Sequence, residues 1–188
     1  MSANQKDLSW IEIIGSKARK MHPFQSKAIA KFHSSTGSEF QLVSDRYLEL
    51  LFCPQDNSDM AVESFITMSK DFLTCQIRFQ KTLEYPVQSQ AQAYADVYSD
   101  QRVMSYYMRG LYLSYFLWPN HWRILQFFRR CTRNALLPFK NNFNERLKIL
   151  EVAPGHGLFT ANVFELANNI EFVQLVDISK TSLEIAQE

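Results

Sequence analysis

Cysteine is scarce and badly placed for structure. Cys53, Cys75 and Cys131 are odd in number and far apart, with no Cys-x-x-Cys pair and no histidine at ligand spacing. That excludes a disulfide scaffold or a structural zinc site, and predicts a reduced, cytoplasmic protein. A long apolar run is also missing. "MSANQKDLSWIEII" has a charged start without the apolar stretch of a signal peptide. The greasiest segment, Val103 to Trp118, carries Arg109 and stops at Pro119 short of membrane-spanning length, so it reads as a core helix and no membrane is expected. One-sided charge is absent too. Residues 1–139 hold 16 Lys/Arg against 12 Asp/Glu, and residues 140–188 hold 4 against 7. Neither balance points to nucleic acid.

What remains, in 188 residues that are 46% hydrophobic, is enough apolar material for a real core. For three-quarters of its length the pattern is helical. Asp7 and Ser9 can cap a first helix along which Leu8, Ile11, Ile14, Ala18 and Met21 recur at helical spacing. Pro23 ends it and starts a second carrying Phe24, Ala28 and Phe32. "SSTGSE" reads as a loop. "FQLVSDRYLELLFC" is open between helix and strand, with Ser44 as a possible cap, before the polar break "PQDNSD". Asp59 precedes a long helix, roughly Met60 to Leu83, with Val62, Phe65, Ile66, Phe72, Leu73 and Ile77 on one stripe. "EYPVQSQAQAY" reads as a linker, and aromatic-rich helices flank the break at Trp118–His121. Tyr106, Tyr107, Tyr112, Tyr115 and Phe116 read as core, Arg123, Arg129, Arg130 and Arg133 as a solvated basic face, and the cysteines as small buried hydrophobes.

At Arg146 the pattern changes. "RLKILEVA" is a short apolar run ending in a Pro-Gly turn, "GLFTANVFELANN" a helix, and "EFVQLVDIS" a second apolar run closing on an acid. This strand–helix–strand unit predicts two parallel strands, followed by a helix that Ser179 can cap. Gly155 and Gly157 permit backbone torsions and close approaches that a side chain would block, where the first strand meets its helix. Asp177, about twenty residues on, stands where an acid can accept hydrogen bonds from both hydroxyls of a ribose. A dinucleotide turn wants a third Gly or Ala where Thr160 stands, and the Gly-Lys-Ser/Thr of a phosphate loop is absent. Glu151 would repel a bound anion, yet suits a sulfonium and an amino group. His156 reads as a turn residue. His121 reads as a cap or loop histidine, with a general base as the sharper alternative.

"LEVAPGHG" resembles the first motif of class I S-adenosylmethionine-dependent methyltransferases, with Ala153 where that family usually has its first glycine, and "LVDIS" resembles the second. The resemblance covers Leu147 to Glu188, about a fifth of the chain. It implies a mainly α N-terminal region (1–139), a lid or dimerisation region, followed by the start of an α/β Rossmann-like methyltransferase domain (140–188). It further implies that Ala153, Pro154, Gly155 and Gly157 line the methionine part of S-adenosyl-L-methionine. Glu151 would face its amino group, Asp177 its ribose and Ile178 its adenine. A small-molecule acceptor is expected, and a homodimer through the helical region. A complete fold of this type has about seven strands, so the chain is expected to be an N-terminal portion, inactive alone. The methyl acceptor and the catalytic residues stay open. So does a non-catalytic helical interaction module with a vestigial cofactor segment, and a dinucleotide-binding protein.

Overall fold

The computed structural model describes residues 9–52, 57–139 and 146–187, without the side chain of Phe24. Expectations that fell on Asp7, Leu8, Cys53 and residues 54–56 lie outside these. The order is α1 (Trp10–Met21), α2 (Pro23–Ser34), α3 (Ser38–Phe52), α4 (Ser58–Thr82), α5 (Gln90–Ala93), a π-helical turn (Tyr94–Tyr98), α6 (Gln101–Leu117), α7 (Pro119–Leu136), a 3-10 turn (Leu137–Phe139), β1 (Leu147–Val152), α8 (Leu158–Leu166), β2 (Ile170–Val176) and α9 (Lys180–Gln187). The protein is mostly helical, with a small parallel sheet.

Local chemistry sets most boundaries. Ser9 and Glu12 close a capping box over the first turn of α1, and the free N–H of Ile11 is taken by Asp45 of α3 at 2.8 Å. Asp100 accepts from Arg102 and Val103 and starts α6. Pro119 ends α6 and opens α7. Trp118 between them is held extended at φ −118°, ψ 128°, as expected before proline. The run from Phe40 to Phe52 resolves as helix α3. Ser44 lies inside it, fully buried with no hydrogen-bond partner for its hydroxyl among the described residues, so it does not act as the cap expected there. The linker expected over Glu84–Tyr94 contains α5 and runs into the π-helical turn.

The helices share one core built from Ile14, Tyr47, Leu48, Phe52, Phe65, Leu113, Phe116 and Leu125. Its tightest seam is α4 against α6. A methyl group on Gly110 would stand 2.7 Å from the Ser64 carbonyl oxygen, so only glycine lets the two backbones approach this closely. The stripe expected on α4 is buried only in its first half. Val62, Phe65 and Ile66 are inside, but Phe72, Leu73 and Ile77 are exposed, because the distal part of α4 extends past the core. The cysteine expectation also fails: Cys75 and Cys131 are exposed.

β1 and β2 pair in parallel, with Leu150 opposite Gln174 and Val152 opposite Val176. Side chains alternate between faces. Ile149, Glu151, Val173 and Leu175 lie half-buried on the side of α8, whereas Leu150 (63% exposed), Val152 (70%), Phe172 (47%) and Val176 (45%) stand on an uncovered face. The helical region and the strand unit are not separated by a gap: Leu158 belongs to the main core, and Phe159 packs on Phe128 with ring centres 4.4 Å apart. α9 packs on α6.

A buried polar node ties α8 to the helices. Arg129, expected on a solvated face, is instead only 8% exposed. Its guanidinium reaches Glu165 of α8 at 2.8 and 3.4 Å and the Tyr47 hydroxyl at 2.7 Å. Tyr47 donates to Glu165 and accepts from Asn162, so the phenol oxygen is saturated. Arg46 adds a more exposed contact to Glu165 at 3.1 Å. Burial works to raise the Glu165 carboxyl, but the bonds from Arg129 and Tyr47 and the neighbouring arginine charges outweigh it and hold it below its ordinary range. Arg129→Ala should leave a mostly buried carboxylate short of its main partner and cost about 3 kcal/mol, read as a lower urea midpoint. A loss below about 0.5 kcal/mol would show that the node contributes little.

Candidate functional site

The candidate site is the turn between β1 and α8. Three alternate residues in it adopt positive φ: Ala153 at 58°, Gly155 at 58° and Gly157 at 74°. Ala153 therefore takes the conformation natural to glycine, at a cost of about 1 kcal/mol for an L-residue. Its N–H donates to the Val176 carbonyl at 2.7 Å, which carries the strand pairing one step into the turn. Gly157 donates to the Pro154 carbonyl at 3.0 Å and closes it.

The glycines have different neighbours. A Cβ on Gly157 would meet Cα of Ala186 at 3.0 Å, so this glycine lets α9 press against the turn. A Cβ on Gly155 would meet, among the described residues, only the Met108 sulfur of α6, at 3.4 Å. Pro154 and Gly157 are buried, Gly155 is half-buried, and Ala153 and Ile178 are exposed. Of the residues singled out by sequence, Ala153, Gly155, Asp177 and Ile178 are thus reachable from solvent. Pro154 and Gly157 are not.

Asp177 joins the two strand ends. One carboxylate oxygen accepts from the backbone N–H of Ser179 at 2.8 Å and the other lies 3.4 Å from that of Gly155. Ser179 is fully buried and accepts from Ser182 N–H at 3.3 Å, capping α9 as expected. Glu151 is half-buried, and one of its oxygens accepts the Thr160 hydroxyl at 2.5 Å. Thr160 therefore fixes the direction of the Glu151 carboxylate. A threonine nine residues from an acid carries no pattern of its own, so sequence reasoning could not have found the pair.

His156 does more than turn the chain. It is 7% exposed, its Nδ1 accepts from Leu158 N–H at 3.2 Å, and its ring stands edge-on to Tyr112 (5.7 Å) and Tyr115 (5.3 Å). The turn is thereby docked onto α6. Burial, helped by the nearby positive charge His121 would carry, pushes the His156 imidazole down to about 4.

That value gives a pH dependence with a definite sign. Between the ordinary histidine value near 6.5 and about 4 the unfolded chain binds a proton that the folded chain refuses. The stabilising contribution is therefore complete above 6.5 and is lost as pH falls toward 4. It should amount to about 2 kcal/mol between pH 7 and pH 5. Urea titrations of the protein and of His156→Phe at both pH values isolate it: the variant should lose less stability on acidification by roughly that amount. Equal losses would place the protonation elsewhere.

No family model matches this chain, and neither any curated protein nor any solved structure does.

Proposed function

We propose that this chain carries the cofactor-binding start of a Rossmann-like, class I S-adenosylmethionine-dependent methyltransferase acting on a small organic acceptor. The observation that carries the reading is the meeting of Asp177, at the end of β2, with the backbone of Gly155 in a turn of alternating positive φ. An acid and a bare backbone presented side by side can take a ribose and the chain attached to it. S-adenosyl-L-methionine fits the rest of the residue set better than a dinucleotide does. Glu151, held by Thr160, adds a second carboxylate, which favours a cationic ligand over a pyrophosphate.

On this reading Ala153 and Gly155 receive the methionine part and Glu151 turns toward its amino group, directly or through water. Asp177 holds the ribose, and Ile178, at 60% exposure, offers apolar surface to the adenine. When bound, the cofactor supplies an activated methyl group. The chain's own part is to hold donor and acceptor in attack geometry and to exclude water. The reading also needs more sheet than β1 and β2 supply. A parallel sheet is stable with both faces covered, and the apolar face of Leu150, Val152, Phe172 and Val176 is bare. Further strands paired with β1 and β2 would complete it. The bare face equally favours a second reading, a non-catalytic interaction module, which a stable oligomer without cofactor affinity would support.

Calorimetry with S-adenosylhomocysteine tests the cofactor assignment. Gly155→Val should abolish binding and leave the helical signal intact, because a branched side chain is strained at φ 58° and crowds Met108. Unchanged affinity would refute the role of the turn. Asp177→Ala should weaken binding by about 1.5 to 3 kcal/mol, the scale of hydrogen bonds to a charged group. The loss should shrink for a 2′,3′-dideoxy analogue, and an equal loss for both ligands would refute the ribose assignment.

A further inference from the structure

Five aromatic rings outside the glycine turn form a row across α4, α6 and α7, running Tyr107, Phe72, Trp118, His121, Tyr115. Phe72 stands edge-on to Tyr107 with ring centres 5.8 Å apart and lies 6.3 Å from Trp118. His121, in the first turn of α7, is 5.1 Å from Trp118 and 5.2 Å from Tyr115. Trp118 rests on buried Phe65 with ring centres 5.3 Å apart, while Tyr107, Trp118 and His121 are half-buried and Phe72 is 38% exposed, so the row reaches solvent.

Three polar groups in it lack a use. Neighbouring phenols are committed: Tyr106 donates to Asp71 at 2.7 Å and Tyr112 to the Tyr47 carbonyl at 2.8 Å. The hydroxyls of Tyr107 and Tyr115 have no hydrogen-bond partner among the described residues. His121 is fixed in one tautomer by Ser114. A serine hydroxyl has one hydrogen, and that of Ser114 goes to the Leu111 carbonyl. The 2.6 Å contact between Ser114 Oγ and His121 Nδ1 must then use a hydrogen on Nδ1. This leaves Nε2 with a lone pair and, among the described residues, no partner. Burial holds this imidazole below its ordinary value, so the lone pair is present at neutral pH.

The geometry points to a binding site for a planar aromatic compound bearing a hydroxyl or N–H group, stacked against Phe72, Tyr107 and Trp118 and donating to His121 Nε2. Ring faces and edges reward a flat π-system, which an aliphatic ligand would leave unused. The oriented acceptor selects for a donor on that ring, because a ligand without one leaves the nitrogen unpaired. Tyr115 forms the wall toward the glycine turn, with His156 5.3 Å and Phe159 5.4 Å from its ring. Binding stands on these residues alone. The ligand's role as methyl acceptor rests on the methyl-transfer reading.

Calorimetric titration of the full chain with 1-naphthol and, separately, 1-methoxynaphthalene tests the site. We expect 1-naphthol to bind more tightly than its ether. His121→Phe keeps the ring and removes the acceptor, so it should weaken 1-naphthol roughly tenfold and leave the ether unchanged. His121→Gln, which restores an acceptor oxygen, should recover part of the loss, and Trp118→Leu should weaken both ligands. Circular dichroism confirms that each variant is folded. Failure of 1-naphthol to bind, or an equal loss of both ligands in His121→Phe, overturns the proposal. S-adenosylhomocysteine titrated in parallel keeps the two readings apart. If it fails to bind while 1-naphthol binds, the methyl-transfer reading falls and the aromatic site stands; the reverse result removes the site alone.

Discussion

Much of this structure depends on one phenol oxygen. Tyr47 sits on α3, yet its hydroxyl meets Arg129 of α7 and both Asn162 and Glu165 of α8, so three elements from opposite ends of the sequence meet at one atom. Burying such groups is costly unless they are paired, and here Arg129, Tyr47 and Glu165 pair with one another while the buried Asn162 Oδ1 has no partner among the described residues. The arrangement therefore specifies a single seating of α8, which an apolar contact that can slide would not do. Because α8 begins at the glycine turn, the node also decides where that turn sits relative to the helices.

The second constraint is closeness. Gly110 lets α6 lie against α4, and Gly157 lets α9 lie against the turn. Between them α6 is held from both sides, and its face carrying Met108, Tyr112 and Tyr115 becomes the surface against which the turn is docked. His156 completes the docking as a neutral ring. Its Nδ1 accepts from the first turn of α8 and its ring packs on Tyr112 and Tyr115, so it serves as a shaped aromatic filler beneath the turn.

How far the sequence foretold this differs by scale. Helical periodicity, one capping residue and the prolines located α1, α2 and the break between α6 and α7 because those signals are local: Ser9, Pro23 and Pro119 act within a turn of themselves. The strand–helix–strand unit was equally legible, since short apolar runs on either side of a glycine turn leave few alternatives. What escaped was decided by partners distant in sequence. Arg129 looks like its neighbours Arg130 and Arg133 until Glu165 arrives from α8. Phe72 and Leu73 continue the stripe of Val62 and Phe65, but the core does not continue with them. At the site, the acid and glycine positions could be named, whereas the burial of Gly157 against Ala186 of α9 could not.

The open edges of β1 and β2 impose a rule of direction on whatever joins them. A strand that enters parallel must return to the starting end of the sheet, which takes a crossover connection and so a covalent tether carrying a helix or long loop. A second copy of the same strand, brought by diffusion and related by a two-fold axis, is obliged to run antiparallel. β1 therefore distinguishes, by polarity alone, a neighbour supplied through a crossover from a symmetric neighbour supplied by self-association.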